Sequence, residues 1–179
     1  MRTYIALLYS IVLTPQRRVV MADLKAMAEG LGFANLRTLA ASGNLVFDAP
    51  ETPIAELESR LEAAFPKTFG RHVDIIVRDA TGWLALAAGN PFPNESLEAA
   101  DQVAVRVMRR PAPAAEIGSL KAYAAADEKI AIVGGDIWIV FSRERPNSRL
   151  LSAVGHKRLG IGTSRNWNTV RKLAEILTP

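Results

Sequence analysis

The sequence of 179 residues contains no cysteine and only two histidines, His72 and His156. Without cysteine, the chain has no disulfide framework, zinc ribbon, iron–sulfur site or thiol nucleophile. Neither histidine has metal-binding partners near it at ligand spacing, so we expect no metal site and no cofactor. The lack of cysteine also fits a reducing compartment, and we expect a cytoplasmic protein.

A hydrophobic run long enough to cross a membrane is absent as well. The apolar stretch at residues 4–13 is interrupted only by Ser10 and is shorter than the roughly 20 residues that span a bilayer. Arg2 precedes it, as in a secretory signal, but no small-residue cleavage site follows. We therefore interpret the stretch as a buried strand leading into a loop, and expect no membrane partner.

Familiar catalytic and phosphate-binding motifs are missing too. No G-x-S-x-G occurs, and Ile161 and Gly162 stand where a phosphate loop requires Lys and Ser or Thr. Arg165 occupies the third glycine position of a dinucleotide fingerprint. No reaction is therefore indicated, and an enzyme of unknown reaction stays only an alternative. The carboxylates and hydroxyls available to it are Asp127, Glu128, Asp136, Ser42, Thr163 and Ser164.

Hydrophobic residues make up 49% of the chain and the formal net charge is +4, which favours a folded domain over a disordered chain. The charge is uneven. Residues 143–179 carry eight basic and two acidic side chains, whereas residues 1–142 carry 14 basic and 16 acidic ones. Basic segments bind phosphates or nucleic acids, or are simply solvated surfaces. Nucleic acid is therefore a second candidate partner for this C-terminal face.

Hydrophobic periodicity predicts the element order βαββαβ for residues 1–88, the pattern of a ferredoxin-like unit. Gly32 is placed to end the first helix, and Asp79 to begin a short helix after the fourth strand. In the helix after Pro53, the apolar stripe is expected to be buried. Three acidic residues on its other side are expected to face water: Glu56, Glu58 and Glu62.

After a turn-rich linker at residues 89–100 the pattern nearly restarts. Residues 101–179 predict the order βαββαα, with a hairpin around Gly134 and Gly135 and final helices near residues 149–154 and 165–177. The chain is therefore predicted to be an α+β protein of two tandem ferredoxin-like halves with mixed or antiparallel sheets.

The most informative segment, Gly160–Val170, reads G-I-G-T-S-R-N-W-N-T-V. We interpret it as a glycine-rich turn that enters a helix with a hydroxyl cap, and helix starts attract anions through free N–H groups and the helix dipole. Alternatively, Thr163 or Ser164 is an ordinary N-cap and Trp167 belongs to the core. The residues predicted to bind a phosphate or carboxylate are Lys157, Arg158, Gly162, Thr163, Ser164 and Arg165.

A second loop, Ser42-Gly43-Asn44, offers two more polar side chains, Ser42 and Asn44. A tight turn explains this loop without a ligand, because Gly and Asn tolerate positive φ.

Several blocks together resemble a bacterial family, the domain-of-unknown-function 1697 family. They are T-Y-I-A-L-L (residues 3–8), M-A-D-L (21–24), L-G-F (31–33), S-G-N-L-V-F (42–47) and S-R-N-W-N-T-V-R-K-L (164–173). The resemblance implies a small cytoplasmic bacterial protein with two ferredoxin-like halves. It implies no activity and supplies no catalytic residues.

The sequence departs from the resembled family in two loops. Leu7–Pro15 replaces a glycine-rich segment after the first strand, and Pro146–Leu151 replaces a glycine-rich element late in the chain. The resulting prediction is a binding module for a small anionic or phosphate-bearing ligand at the C-terminal helix start. Nucleic-acid binding and an enzyme are the alternatives, and no oligomeric state is indicated.

Overall fold

The computed structural model describes residues 1–9, 19–39, 43–142, 147–155 and 159–178. The chain divides into two compact units: the first unit is Met1–Leu84 with Ile176–Pro179, and the second unit is Ala85–Glu175. Each unit contains a four-stranded sheet in which neighbouring strands are antiparallel. The α+β class and the antiparallel sheets predicted from the sequence are confirmed.

The first sheet has the order β2-β3-β1-β4, which with the βαββαβ chain order is a ferredoxin-like arrangement. Helices α1 and α2 cover one face, where Tyr4, Phe47 and Phe65 belong to the core. The elements are β1 (Arg2–Leu8), α1 (Met21–Gly30), β2 (Ala34–Leu39), β3 (Asn44–Ala49), α2 (Ile54–Phe69), β4 (Ile75–Asp79) and α3 (Ala80–Ala88).

Two predicted helix boundaries in this unit are confirmed. Gly32 has φ 79°, its N–H donates to the Glu29 carbonyl, and the N–H of Phe33 donates to the Ala28 carbonyl. These paired bonds are the glycine-dependent helix ending known as a Schellman motif. At the start of α3, Oδ1 of Asp79 accepts the N–H of Gly82 at 2.6 Å, as an N-cap does.

The outer edge of β4 is closed by carboxylates of α2. The N–H of Val77 donates to Glu58 at 3.0 Å, and the N–H of Ile75 donates to Glu62 at 2.8 Å. Glu56 is exposed as expected, but the prediction that all three acids face water is wrong: Glu58 is only 7% exposed and Glu62 is half-buried. An edge strand presents N–H groups that need acceptors, and these side chains supply them.

Replacing Glu58 therefore tests this edge. Glu58→Ala leaves the buried N–H of Val77 without its acceptor and should lower the free energy of unfolding by about 1–3 kcal/mol. Glu58→Gln keeps an oxygen acceptor and should retain most of the stability. Urea unfolding of both variants measures the difference, with Glu56→Ala in the same helix as the exposed control. Equal losses in the Ala and Gln variants would contradict the assignment.

Asp48 on β3 links three strands of the first sheet. Its carboxylate accepts the Thr3 hydroxyl and the Asn35 side-chain amide, each at 2.7 Å. Asn35 has φ 50° and lies where the register between β2 and β3 shifts. Partial burial raises the pKa of Asp48, but the hydrogen bonds from Asn35 and Thr3 and the charge of Arg37 outweigh it, so the pKa lies below its ordinary value.

A lowered pKa makes the contribution of Asp48 depend on pH. Its stabilising effect is fully present above the unfolded-state pKa of about 3.9 and disappears as the pH falls through the folded-state pKa. Asp48→Asn should therefore destabilise the protein near neutral pH and much less at about pH 2. Urea unfolding of Asp48→Asn between about pH 2 and neutral pH measures this difference, with Asp101→Asn as an exposed control. A loss of stability that does not depend on pH would contradict the role of the ionised Asp48 carboxylate.

The second unit repeats the βαββαβ order, and its sheet has the order β6-β7-β5-β8. The core on one face of this sheet includes Met108, Leu120, Ile139 and Leu150. The elements are α4 (Pro93–Glu98), β5 (Val103–Met108), α5 (Glu116–Lys121), β6 (Lys129–Val133), β7 (Asp136–Val140), α6 (Arg149–Val154), β8 (Gly162–Asn166) and α7 (Trp167–Leu177).

Two features of this unit differ from the sequence expectation. The predicted order βαββαα misses β8, so the second half resembles the first more closely than the sequence pattern indicated. The segment expected to be a linker, residues 89–100, contains helix α4. The predicted hairpin is confirmed: Gly134 and Gly135 connect β6 to β7 with φ 60° and 88°, as a tight two-residue turn requires.

Candidate functional site

The helix start predicted at Thr163 or Ser164 is wrong. Residues Gly162–Asn166 form β8, which pairs with β5, and α7 begins at Trp167. The residue that caps α7 is Asn166, whose Oδ1 accepts the N–H and the hydroxyl of Thr169, both at 3.0 Å. Glycine and hydroxyl residues suit a helix start in isolation, but pairing with β5 gives this segment a strand conformation.

Two of the residues predicted to bind an anion, Thr163 and Arg165, lie on β8 and contact each other. Nη1 of Arg165 donates to the Thr163 hydroxyl and to the Ser164 carbonyl, both at 2.9 Å. Both side chains are buried, and burial lowers the pKa of Arg165 to about 10. Ser164 is exposed, because successive strand residues point to opposite faces. Arg165 and Thr163 therefore contact each other inside the unit.

The other predicted site residues either make contacts within the fold or lie outside the described residues. Gly162 is buried, and Asn44 is buried at the start of β3, where its side-chain amide donates to the Leu39 carbonyl at 3.0 Å. Gly43 has the positive φ expected in a turn, 70°, whereas Asn44 is not among the described residues with a positive φ. The remaining three lie outside the described residues: Ser42, Lys157 and Arg158.

Gly162 allows β8 to approach β5 closely. A Cβ at this position would lie 2.6 Å from the Met108 sulfur and 3.1 Å from the Val107 carbonyl oxygen. A larger residue would therefore require the Met108 side chain and Nε of Arg106, at 2.9 Å, to move, and the Val107 backbone to shift by a few tenths of an ångström. Close packing against β5 therefore explains the glycine at position 162 without a ligand.

Gly162→Ala should consequently lower the free energy of unfolding by about 1–3 kcal/mol, the usual cost of overpacking. Gly118→Ala is the matched control, because a Cβ there meets nothing within 4 Å and the position lies in α5. That control should be neutral or stabilising by about 0.5–1 kcal/mol. Thermal or urea unfolding measures the stability of the two variants. A Gly162→Ala protein as stable as the Gly118→Ala control would contradict the close approach of β8 to β5.

The second unit contains a cleft with a volume of about 1090 Å³. Its walls come from α4, the segment between α5 and β6, the end of β7 and the start of α6. The lining of the cleft includes charged and aromatic side chains, among them Glu95, Glu98, Tyr123, Asp127, Lys129 and Arg149. Ligand sites are typically concave openings of this order of size with a few polar groups.

Arg149 is the cation placed most clearly in the cleft. It is the first residue of α6, which Ser148 caps by accepting the N–H of Leu151 at 3.1 Å. The guanidinium carbon lies 5.5 Å from the centre of the Tyr123 ring, within the range of a cation–π contact. Within the described part of the chain, the Arg149 side chain lines the cleft and makes no hydrogen bond or ion pair.

Glu128 holds the cleft wall in place. Its carboxylate is buried and accepts the N–H of Ala125 at 2.9 Å and that of Ser142 at 3.5 Å. The N–H of Phe141 donates to the Gln102 carbonyl at 2.9 Å, which joins the end of β7 to the start of β5. These bonds connect the loop before β6 to the sheet and give the wall a defined backbone position.

Glu95 and Lys129 form an ion pair that joins α4 to the start of β6. The hydrogen bond from Lys129 is the main cause that lowers the pKa of Glu95 below its ordinary value. The pair is solvent-accessible, so its stabilising effect is small. Its charges compensate each other, whereas the charge of Arg149 has no such compensation from the described residues.

Among the residues described, no group of three or more His, Asp and Glu side chains is arranged to hold a metal ion. In the same ranges, none of the helices has both the length and the apolar character needed to span a bilayer.

Comparisons with known proteins agree with this architecture. A family model described as "Protein of unknown function (DUF1697)" matches residues 1–138. The chain belongs to this family. The predicted family resemblance is thereby confirmed, although the block at residues 164–173 lies beyond the matched range.

A solved structure supports the fold over nearly the whole chain. The conserved bacterial protein SP0830 from Streptococcus pneumoniae is similar with a TM-score of 0.77 and 20% sequence identity, covering 99% of this chain and 98% of that one. At this identity the likeness concerns the fold alone. No curated protein matches the sequence.

The sequence analysis did not predict this cleft. Arg149 belongs to the basic C-terminal segment, whereas Asp127 and Glu128 lie well before it in the sequence. No local sequence pattern indicates that Arg149 and these acids line the same cleft. Tyr123 and Arg149 lie 26 positions apart, and Glu95 and Lys129 lie 34 apart. The only local signal was the Ser148 N-cap immediately before Arg149.

Proposed function

We propose that this protein is a binding module for a small anionic ligand, and that the cleft of the second unit is its site. The observation that carries the proposal is the placement of Arg149. This side chain lines the cleft, lies over Tyr123 and has no ion pair within the described ranges. We also retain the cytoplasmic location as a prediction.

The chemistry of arginine explains why this placement suits an anion. A guanidinium that lies over an aromatic ring is oriented by it, at an exposed site by about 0.5–1 kcal/mol. A guanidinium presents its N–H groups in a planar fork that matches the two oxygens of a carboxylate or phosphate. A ligand anion would thus meet a side chain whose orientation is already restricted, which reduces the entropy lost on binding.

This proposal keeps the ligand class expected from the sequence but changes its location. Thr163 and Arg165 contact each other in the interior, and Gly162 is packed against β5. These three positions give little support to an anion site on β8. Lys157 and Arg158 lie outside the described residues, so a contribution from them stays a prediction.

The alternatives have less support from the described residues. For nucleic acid, the C-terminal segment offers Arg171, but its guanidinium lies 3.7 Å from the Glu175 carboxylate, so its charge is partly compensated. For an enzyme, Asp136 accepts the N–H of Met108 at 2.7 Å, so this carboxylate has a structural contact.

Titration with ethyl phosphate, followed by nuclear magnetic resonance of the ¹⁵N-labelled full chain, tests the proposal. We expect binding of roughly millimolar affinity, with amide shifts at Tyr123, Lys129 and Arg149. Arg149→Gln should weaken binding by about tenfold or more, since hydrogen bonds to charged groups contribute about 1.5–3 kcal/mol. Tyr123→Leu should weaken it by about two- to fivefold through loss of the cation–π contact.

Arg171→Gln is the control, because it removes an exposed arginine of the same basic segment and should leave the affinity unchanged. Amide shifts confined to residues 157–165 would instead favour the location predicted from the sequence and would overturn the cleft assignment. The same would follow if Arg149→Gln and Arg171→Gln bound ethyl phosphate equally well.

A further inference from the structure

Several charges of both signs in the described lining of the cleft have no ion pair among the described residues. Of the charged side chains in its described lining, Glu95 and Lys129 pair with each other, and Glu128 accepts two backbone N–H groups. The side chains of Glu98 and Asp127 have no hydrogen bond or ion pair within the described ranges, and both residues are exposed. Together with Arg149 they are one positive and two negative groups in the described lining without an ion pair in these ranges.

We infer that the ligand of this cleft is zwitterionic: it carries an amine as well as the anionic group. The inference rests on the proposed function, which assigns the anionic group to Arg149. A ligand that was only anionic would enter a cleft in which Glu98 and Asp127 repel it. An ammonium group on the same molecule turns that repulsion into attraction and matches the charges present.

The cation is assigned to an organic amine because of how the two carboxylates are arranged. Glu98 ends α4, whereas Asp127 lies in the turn before β6. They belong to no group of three metal-binding side chains among the described residues, and a divalent cation prefers six or more oxygen ligands. An ammonium group requires fewer acceptors and interacts well with separate, solvated carboxylates.

Three related probes separate the contributions: O-phosphoethanolamine carries both groups, ethyl phosphate carries only the phosphate, and ethanolamine carries only the amine. Each is titrated into the ¹⁵N-labelled full chain. O-phosphoethanolamine should bind about fivefold more tightly than ethyl phosphate, the size expected for exposed ion pairs. Ethanolamine alone should bind most weakly of the three.

The double variant Glu98→Gln and Asp127→Asn tests the carboxylates directly. It should remove the advantage of O-phosphoethanolamine while leaving the affinity for ethyl phosphate equal or higher. Arg149→Gln should weaken both phosphate probes. Both replaced residues are exposed and their substitutes are nearly isosteric, and an unchanged circular dichroism spectrum confirms that the variant is folded.

The failures of the two proposals are distinguishable. If the wild-type chain binds ethyl phosphate through Arg149 but gains nothing from the amine, the zwitterionic ligand is wrong and the anion-binding cleft stands. An amine advantage that persists in the double variant also overturns the assignment of Glu98 and Asp127. If neither phosphate probe binds, both the cleft assignment and the inference from it are wrong.

Discussion

Pairing between β8 and β5 determines how the second unit is built. Every residue of β5 is buried, so its backbone N–H and C=O groups need partners on both sides, which β7 and β8 supply. This requirement draws Gly162–Asn166 into the sheet. Thr163 and Arg165 thereby become interior, and Asn166 reaches the position from which it caps α7.

Several acidic side chains in both units act as acceptors for backbone N–H groups. Glu58 and Glu62 complete the edge of β4, Asp136 accepts from Met108, and Glu128 accepts from Ala125 and Ser142. A buried N–H without an acceptor costs about 1–3 kcal/mol, so these contacts have a clear structural purpose. The acids of the cleft differ in this respect. Within the described ranges, Glu98 and Asp127 accept no such hydrogen bond.

Much of the first unit was predictable because its signals are local. The Gly32 helix ending depends on one residue that tolerates positive φ, and the Asp79 cap depends on an oxygen three positions before its donor. The error at Gly160–Val170 has the same origin. Glycine followed by Thr and Ser is a helix-start pattern when only neighbours are considered, and the competing partner, β5, lies more than 50 positions earlier in the chain. Glu58 was misassigned for a similar reason, since its acceptor role depends on β4.

Local sequence signals establish the class of the protein. They are two βαββ patterns with alternating helices and strands, the excess of basic residues after position 142, and membership of the family through local blocks. These properties follow from periodicity and composition, which neighbouring residues carry. Which charges are buried and which line the cleft depends on tertiary packing. The cleft joins Tyr123 to Arg149 and Glu95 to Lys129 across long separations, and burial of Arg165 depends on strand pairing. Solvent access is a property of packing, so no local pattern in the chain encodes it.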